Sequence, residues 1–336
     1  MVINVNLKYT DYNIYIERGA IDNASELLNL NRKVLVVTDS GVPAEYARKI
    51  AEKSKEAYVV TVPQGEESKS LETYEKLLRE MLSRKFTRKD CVVAVGGGVV
   101  GDLAGFVASS FMRGVDFYNV PTTVLSQVDS SIGGKVAVNL AGIKNIVGAF
   151  YQPKAVLIDP ETLKTLSDRL VSAGLAEAVK MALTFDRELF ERIENSLNPF
   201  EMIDEIIEGS LRIKKKVVEE DERESGLRKA LNFGHTIGHA IESTAKGELY
   251  HGECVALGML SVCSNDIKER LLKVLSKLNL PTEYKAQREL LLEAVSHDKK
   301  SGECSVTAVL CENVGEFIMK EETLADLDKR MERFYL

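Results

Sequence analysis

Cys91-Val-Val-Ala-Val-Gly-Gly-Gly-Val-Val-Gly-Asp-Leu-Ala-Gly-Phe106 is the stretch whose reading decides the fold. Its first five residues are apolar and mostly β-branched, the pattern of a strand buried on both faces. Gly96-Gly-Gly-Val-Val-Gly101 then satisfies G-x-G-x-x-G at a strand-to-helix turn, where backbone N–H groups and a helix N-terminus can hold a pyrophosphate. The same glycines can serve only close packing, and such a fingerprint normally occupies the first βα unit rather than a later one. From Cys91 to Met112 the chain runs 22 residues with Asp102 as its only charge, long enough to resemble a membrane span. A bilayer would have to bury that Asp at roughly 2.5–3.5 kcal/mol and tolerate the glycines, so strand, turn and helix is the better reading.

Working outward, the neighbours repeat the alternation of strand and helix. Lys33–Asp39 and Ala57–Val62 read as strands, with Pro43–Ser54 as the helix between them. Ser70–Ser83 carries Leu71, Tyr74, Leu77, Leu78 and Met81 at helical spacing, and Met1–Leu7 alternates like a strand. Parallel strands joined by helices predict an α/β fold, a Rossmann-like sheet over residues 1–160. After Val156–Asp159 helical periodicity takes over, across Glu161–Arg169, Ala173–Thr184, Ile203–Glu222, Ala230–Ser243 and Lys268–Leu278, with Cys254–Cys263 apolar throughout. Ser305–Leu310 and Glu316–Met319 read as a short strand pair inside an otherwise α-helical second domain, residues 161–336.

Composition bounds the function. With 44 Lys and Arg against 51 Asp and Glu, the net charge is -7, which gives no footprint for nucleic acid. Five cysteines, odd in number and without a C-x-x-C, suit a reducing compartment, and the first residues lack the pattern of a signal peptide, so a cytoplasmic location is expected.

His235, His239 and His251 fall close together, and all four histidines lie in the second half. His235 and His239 stand i, i+4, one face of a helix and the geometry of a zinc helix, though no Glu follows His235 as a metalloprotease motif requires. Glycines 234, 238 and 252 beside them permit close backbone approach. These residue types point to a metal held by two or three His and one carboxylate. Arg113, Lys135, Lys144, Lys180, Lys214, Arg228, Lys299 and Lys300 recur in glycine-rich or apolar contexts, as cations lining a pocket for a small anionic substrate would.

The order of motifs resembles one family. Gly96–Phe106, Arg113-Gly114, Pro121–Thr123, Gln127–Ser131, Gly133–Lys135, Lys144-Asn145, Gly148–Tyr151, Ala176-Glu177, Asp221–Arg228, Leu231–His239 and His251–Glu253 are similar, in sequence order, to the 3-dehydroquinate synthases among the sugar phosphate cyclases. The resemblance runs from about Gly65 to Gly315 and departs at Val136, at Ala141-Gly-Ile before Lys144, and at Met181-Ala182. It implies conversion of 3-deoxy-D-arabino-heptulosonate 7-phosphate to 3-dehydroquinate and phosphate in the shikimate pathway. The steps are transient oxidation by bound NAD+, β-elimination of phosphate, reduction and intramolecular aldol closure. It implies NAD+ and a divalent metal, Zn2+ or Co2+, as cofactors, and a homodimer in which Arg113 reaches the neighbouring site.

Residue by residue, the resemblance implies Glu177, His235 and His251 as metal ligands, with His239 a substrate contact instead. Cofactor contacts would be Asp39, Glu66, Lys69, Gly98, Val99, Val100, Gly101, Asp102, Thr122, Thr123, Lys135 and Lys144. Lys135, Lys180, Asn232, His239, Arg113 and Asp129 would be catalytic, and Asn145, Lys214, Arg228, Lys299 and Lys300 would bind substrate. Three other readings compete. A cyclase acting on a different sugar phosphate is nearest in chemistry. A polyol dehydrogenase of the glycerol dehydrogenase type would use NAD and a metal but needs no anion clamp, and a silent NAD-binding module would need no intact metal set.

Overall fold

The computed structural model describes residues 1–297 and 305–336; of His297 only the backbone is described. Its chain divides into two compact units, Met1–Leu166 and Ser167–Leu336. Asp159 shows why the division falls where it does. Its carboxylate accepts the N–H groups of Gly19 and Ile21 at 2.9 and 3.2 Å, and it caps a 3₁₀ turn at Pro160–Thr165. That turn therefore stays with the first unit. The helix expected from Glu161 is broken at Leu166, where the backbone is extended, and begins only after Ser167, whose hydroxyl caps it.

The first unit contains β1 (Val2–Asn6), β2 (Asp11–Ile16), α1 (Ala24–Leu27), β3 (Lys33–Asp39), α2 (Ala44–Glu52) and β4 (Glu56–Val62). It continues through α3 (Leu71–Ser83), β5 (Cys91–Gly96), α4 (Gly98–Ser110), β6 (Asp116–Pro121), β7 (Lys135–Leu140), β8 (Ile143–Phe150) and β9 (Ala155–Ile158). Seven strands form one sheet in the order β1-β2-β9-β6-β5-β3-β4. All neighbours are parallel except the β1–β2 hairpin at the edge. β3 and β5 are buried along almost their whole length, as β-branched runs covered on both faces must be. One face packs Val34, Val36, Val93, Val95 and Leu157 with α2, and the other packs Leu35, Val37, Val92 and Ala94 with α3 and α4.

This order answers the doubt about the glycine turn. From β3 the chain builds outward to β4, then returns across β3 to lay down β5, β6 and β9 in the opposite direction. The reversal lies between β3 and β5, and the crevice at the carboxyl ends of those strands is where open α/β sheets bind ligands. A glycine turn after β5 occupies that switch point as well as one in a first unit would. The β7–β8 hairpin is a separate two-stranded sheet whose outer strand is mostly exposed.

The second unit holds α5 (Asp168–Phe185), α6 (Arg187–Asn195), α7 (Ile203–Glu220), α8 (His235–Ala245), α9 (His251–Met259) and α10 (Asn265–Lys277). After α11 (Arg288–His297) come β10 (Ser305–Leu310), β11 (Ile318–Thr323) and α12 (Leu324–Met331). β10 and β11 pair antiparallel, Leu310 opposite Ile318. The helix read from Ala230 starts instead at His235, because Leu227–Asn232 is a 3₁₀ turn and Gly234, at φ 77°, takes a left-handed conformation that only glycine adopts freely. Among the described residues no helix is long and apolar enough to cross a membrane.

Candidate metal centre and nucleotide cradle

The second unit's site is built where α5, α8 and α9 meet. A Cβ on Gly252 would lie 1.8 Å from the Ala173 carbonyl oxygen, and one on Gly258 would lie 2.1 Å from that of Gly234. Only hydrogen fits at these crossings, so α9 packs backbone against backbone on both α5 and the start of α8. The glycines beside the histidines do serve close approach. Arg169 adds a two-pronged clamp, Nε and Nη2 each donating to Glu253 at 2.7 Å, while Glu253 also accepts the Tyr250 N–H that opens α9.

Three histidines thereby converge. The rings of His235, His239 and His251 lie 5.3–5.7 Å apart by centroid, with one nitrogen from each within 4.8 Å of the others. Glu177, 1% exposed on α5, points its Oε1 at His235 Nε2 (3.5 Å) and His251 Nε2 (3.4 Å). That oxygen is buried, with both imidazole nitrogens as its near polar neighbours. Ligands of a tetrahedral zinc, at about 2.0–2.2 Å from the metal, stand roughly 3.3–3.5 Å from one another. The Glu177 oxygen stands at that distance from both His235 and His251, so the three residues fit a divalent cation. His239, one helical turn on from His235, is exposed.

Electrostatics favour the same use. Burial, together with the Lys180 ammonium, pushes His235 down to about 3, so its imidazole is neutral and free to donate a lone pair. Burial would raise the Glu177 carboxyl, but Lys180 and the two histidines hold it well below the usual carboxylate range. Lys180 Nζ sits 2.5 Å from Glu177 Oε2, both groups almost fully buried. Burial alone would lower His251, yet hydrogen bonds and charge from Glu177 and Glu242 raise it to about 9; a bound cation would have to displace that proton. Each imidazole is oriented from behind: His235 Nδ1 donates to the Phe233 carbonyl at 3.2 Å and His251 Nδ1 to Glu242 Oε2 at 2.8 Å.

Further cations lie in the same unit. Lys214 on α7 and Arg228 are buried, at 4% and 3% exposure, and Arg228 Nη1 donates to the Glu222 carbonyl at 2.6 Å. Asp221 organises this turn by accepting N–H groups from Ser225, Gly226 and Arg228. Asn232 is exposed and donates to Glu224 Oε1 at 3.0 Å. Lys299 and Lys300 lie outside the described residues.

The first unit holds the other candidates. α4 begins at Gly98 with Gly97 as a cap that offers no side chain, so no side chain caps its first N–H groups. A Cβ on Gly98 would come within 3.1 Å of Ser130 Oγ, and one on Gly97 within 3.2 Å of Thr123 Cγ2, so these two glycines keep a cradle open beside Thr122 and Thr123. Gly96, Gly101 and Gly105 are packing glycines, crowded by Val100, Asn119 and Val136. Val99 and Val100 follow in the first turn of α4. Asp39 ends β3 and binds the Gly41 N–H at 2.7 Å.

Lys69 and Asp102 form a 2.5 Å ion pair, and Lys69 also reaches Asn145 Oδ1. Glu66 accepts from Asn139, whose own Oδ1 accepts the Asn145 N–H. Asn145 is thus joined to the expected cofactor contacts Lys69 and Glu66, the latter through Asn139. Lys135 and Lys144 are exposed on β7 and β8, Asp129 lies in the turn after β6, and Arg113 follows an exposed Met112, both at positive φ.

The expected list lacked Glu242 and Arg169. Glu242 could have been found, since His235, His239 and Glu242 fall at i, i+4 and i+7 on one helix face; Arg169 carried no local signal.

Known proteins share both the fold and the full extent of the chain. A 2-deoxy-scyllo-inosose synthase, solved with carbaglucose-6-phosphate, NAD+ and Co2+, superposes with a TM-score of 0.91 at 26% identity over 99% of each chain. A 2-epi-5-epi-valiolone synthase from Streptomyces hygroscopicus subsp. jinggangensis, with NAD+ and Zn2+ bound, gives 0.87 at 26% identity over 97% of each. The parallel sheet and the helical unit thus place the fold in the class of dehydroquinate synthase-like cyclases. Residues 59–173 match the 3-dehydroquinate synthase N-terminal family and residues 174–301 the C-terminal family. A 3-dehydroquinate synthase of Campylobacter concisus is 41% identical over 96% of both chains. The chain belongs to the 3-dehydroquinate synthase family, whose enzymes depend on NAD and a divalent metal.

Proposed function

We propose that this chain converts 3-deoxy-D-arabino-heptulosonate 7-phosphate to 3-dehydroquinate and inorganic phosphate, a lyase step of the shikimate pathway. The observation that carries the reading is the pairing, in one helical unit, of the Glu177–His235–His251 donor set with the buried cations Lys180, Lys214 and Arg228. When bound, NAD+ supplies the transient oxidation and re-reduction of a substrate carbinol, and the divalent cation supplies Lewis acidity at its oxygen.

The chain's own residues bind, orient and exchange protons. Lys180, Asn232 and His239 contact the reacting sugar, with the exposed His239 ring able to pass a proton to or from it. Lys214 and Arg228, both buried, hold the carboxylate. A neutral polyol has no carboxylate for them to hold, which weighs against a dehydrogenase. Asp39, Glu66, Lys69, Gly98, Val99, Val100, Gly101, Asp102, Thr122, Thr123, Lys135 and Lys144 hold NAD+, with Lys135 and Asp129 also serving the reaction. Asn145 joins the Lys69–Asp102 pair to the substrate.

Arg113, displayed at φ 70° after the exposed Met112, completes the site of a second copy in a homodimer. The described cysteines are all free thiols, which fits a cytoplasmic enzyme.

Phosphate release from the heptulosonate phosphate, followed with NAD+ and Zn2+ or Co2+, tests the reading. Stoichiometric phosphate and dehydroquinate with no net NADH is the expected outcome. Steady NADH on glycerol without phosphate release would overturn it.

A further inference from the structure

Accepting the Glu177–His235–His251 reading of the metal centre, we infer that Glu242 is its positioning residue, fixing the tautomer and aim of His251 and setting how tightly a divalent cation is held. The two imidazoles are supported by unlike groups. Behind His235 stands a neutral acceptor, the Phe233 carbonyl, 3.2 Å from Nδ1. Behind His251 stands a carboxylate, Glu242 Oε2, at 2.8 Å. An ionised carboxylate only accepts, so the His251 Nδ1 keeps its proton, and it is Nε2, the atom 3.4 Å from Glu177 Oε1, that gives up a proton and offers its lone pair when a cation enters. The charge-assisted bond is the stronger of the two and makes its imidazole the better donor.

Glu242 reaches this position through the local backbone. It lies on α8, two turns beyond His235 on the same face. Lys246 and Gly247, at φ 47° and 88°, then reverse the chain so that α9 opens with His251 opposite Glu242. Arg169 and Glu253 fix the backbone at the start of α9, leaving the ring's rotation to Glu242. With a side chain 21% exposed beside a histidine at 32%, the pair sits at the edge of the site, where nothing else described is bonded to His251 Nδ1.

The test is Zn2+ affinity by chelator competition and the visible spectrum of the Co2+-loaded full chain, for the wild type, E242A, E242Q and H251A. E242A is expected to weaken Zn2+ by roughly 10–100-fold and to shift the Co2+ bands. E242Q keeps an acceptor for Nδ1–H without the charge, so it should recover the wild-type Co2+ spectrum and part of the affinity. The melting temperature of the metal-free chain should be alike in wild type and E242Q. Wild-type Zn2+ affinity and Co2+ spectrum in E242A would overturn the inference. So would equal losses in E242A and E242Q that track a loss of metal-free stability, because that pattern marks a structural salt bridge. If E242A does not fold, wild-type affinity in E242Q overturns it. A wild-type chain that binds no stoichiometric Zn2+, or an H251A chain that binds it undiminished, would instead bring down the metal-centre reading itself.

Discussion

β5 with α4 and the centre of α5 are both largely buried, yet they build their sites from opposite materials. In β5–α4 nearly every side chain is apolar, and what the site offers is backbone: the N–H groups at Gly98, kept open by the absence of a Cβ. In α5 two charges, Glu177 and Lys180, are 1% and 2% exposed, and what the site offers is side chains. A backbone site disturbs the core little, because it adds no charge to bury. A side-chain site must compensate each buried charge, and Glu177 has Lys180 and two histidines around it for that reason.

If this contrast holds, the two regions should fail differently. The largest effect is expected from H251A, which should lose the metal and roughly 10³-fold or more of the rate together, as metal analysis and turnover would show. Full metal content with an unchanged rate would remove the side-chain half of the comparison. Next comes G252A, in which a Cβ 1.8 Å from the Ala173 carbonyl forces α9 off α5. It should destabilise the chain by about 2–3 kcal/mol and weaken metal binding, read by denaturant melts with and without Zn2+.

G98A sharpens the contrast, because its Cβ meets the Ser130 side chain, Oγ at 3.1 Å, and Ala in a first helical turn is well tolerated. Stability should change by less than about 1 kcal/mol while the NAD+ dissociation constant, measured calorimetrically, rises roughly tenfold. A melt as damaged as that of G252A would show that Gly98 is a packing glycine after all.

The smallest effect concerns pH. Burial would raise Asp221, but backbone N–H groups of Gly226, Ser225 and Arg228 hold it at about 2. Its folded value lies below the unfolded one, so its contribution is fully present above the ordinary Asp range and is lost as the pH falls through about 2. Acid melts of D221N should lack the part of the pH dependence that the wild type shows in that window.

The same contrast governs how much could be read in advance. β3 and β5 were legible because a strand covered on both faces must be a short apolar run, and the glycine turn because backbone sites leave glycines behind. The β7–β8 hairpin was not, since its outer strand is mostly exposed and carries no alternation to betray it. Nor could periodicity show that the 161–169 segment breaks at Leu166, where an extended residue and a Ser cap interrupt an otherwise helical pattern. His235, His239 and His251 announced a metal by clustering. Glu177 did not: it lies far from them in sequence, and only family motifs singled it out. Glu242, present in the right helical register, was passed over because a surface Glu looks ordinary until its histidine is placed.

The backbone contacts of α9 with α5 and α8 have a consequence for how the centre fills. Ligands mounted on helices that touch main chain to main chain have little freedom left to lose when a cation arrives. Loading should then resemble occupancy of a rigid socket rather than a folding event. Amide hydrogen exchange in α5, α8 and α9 would be nearly the same before and after the metal enters.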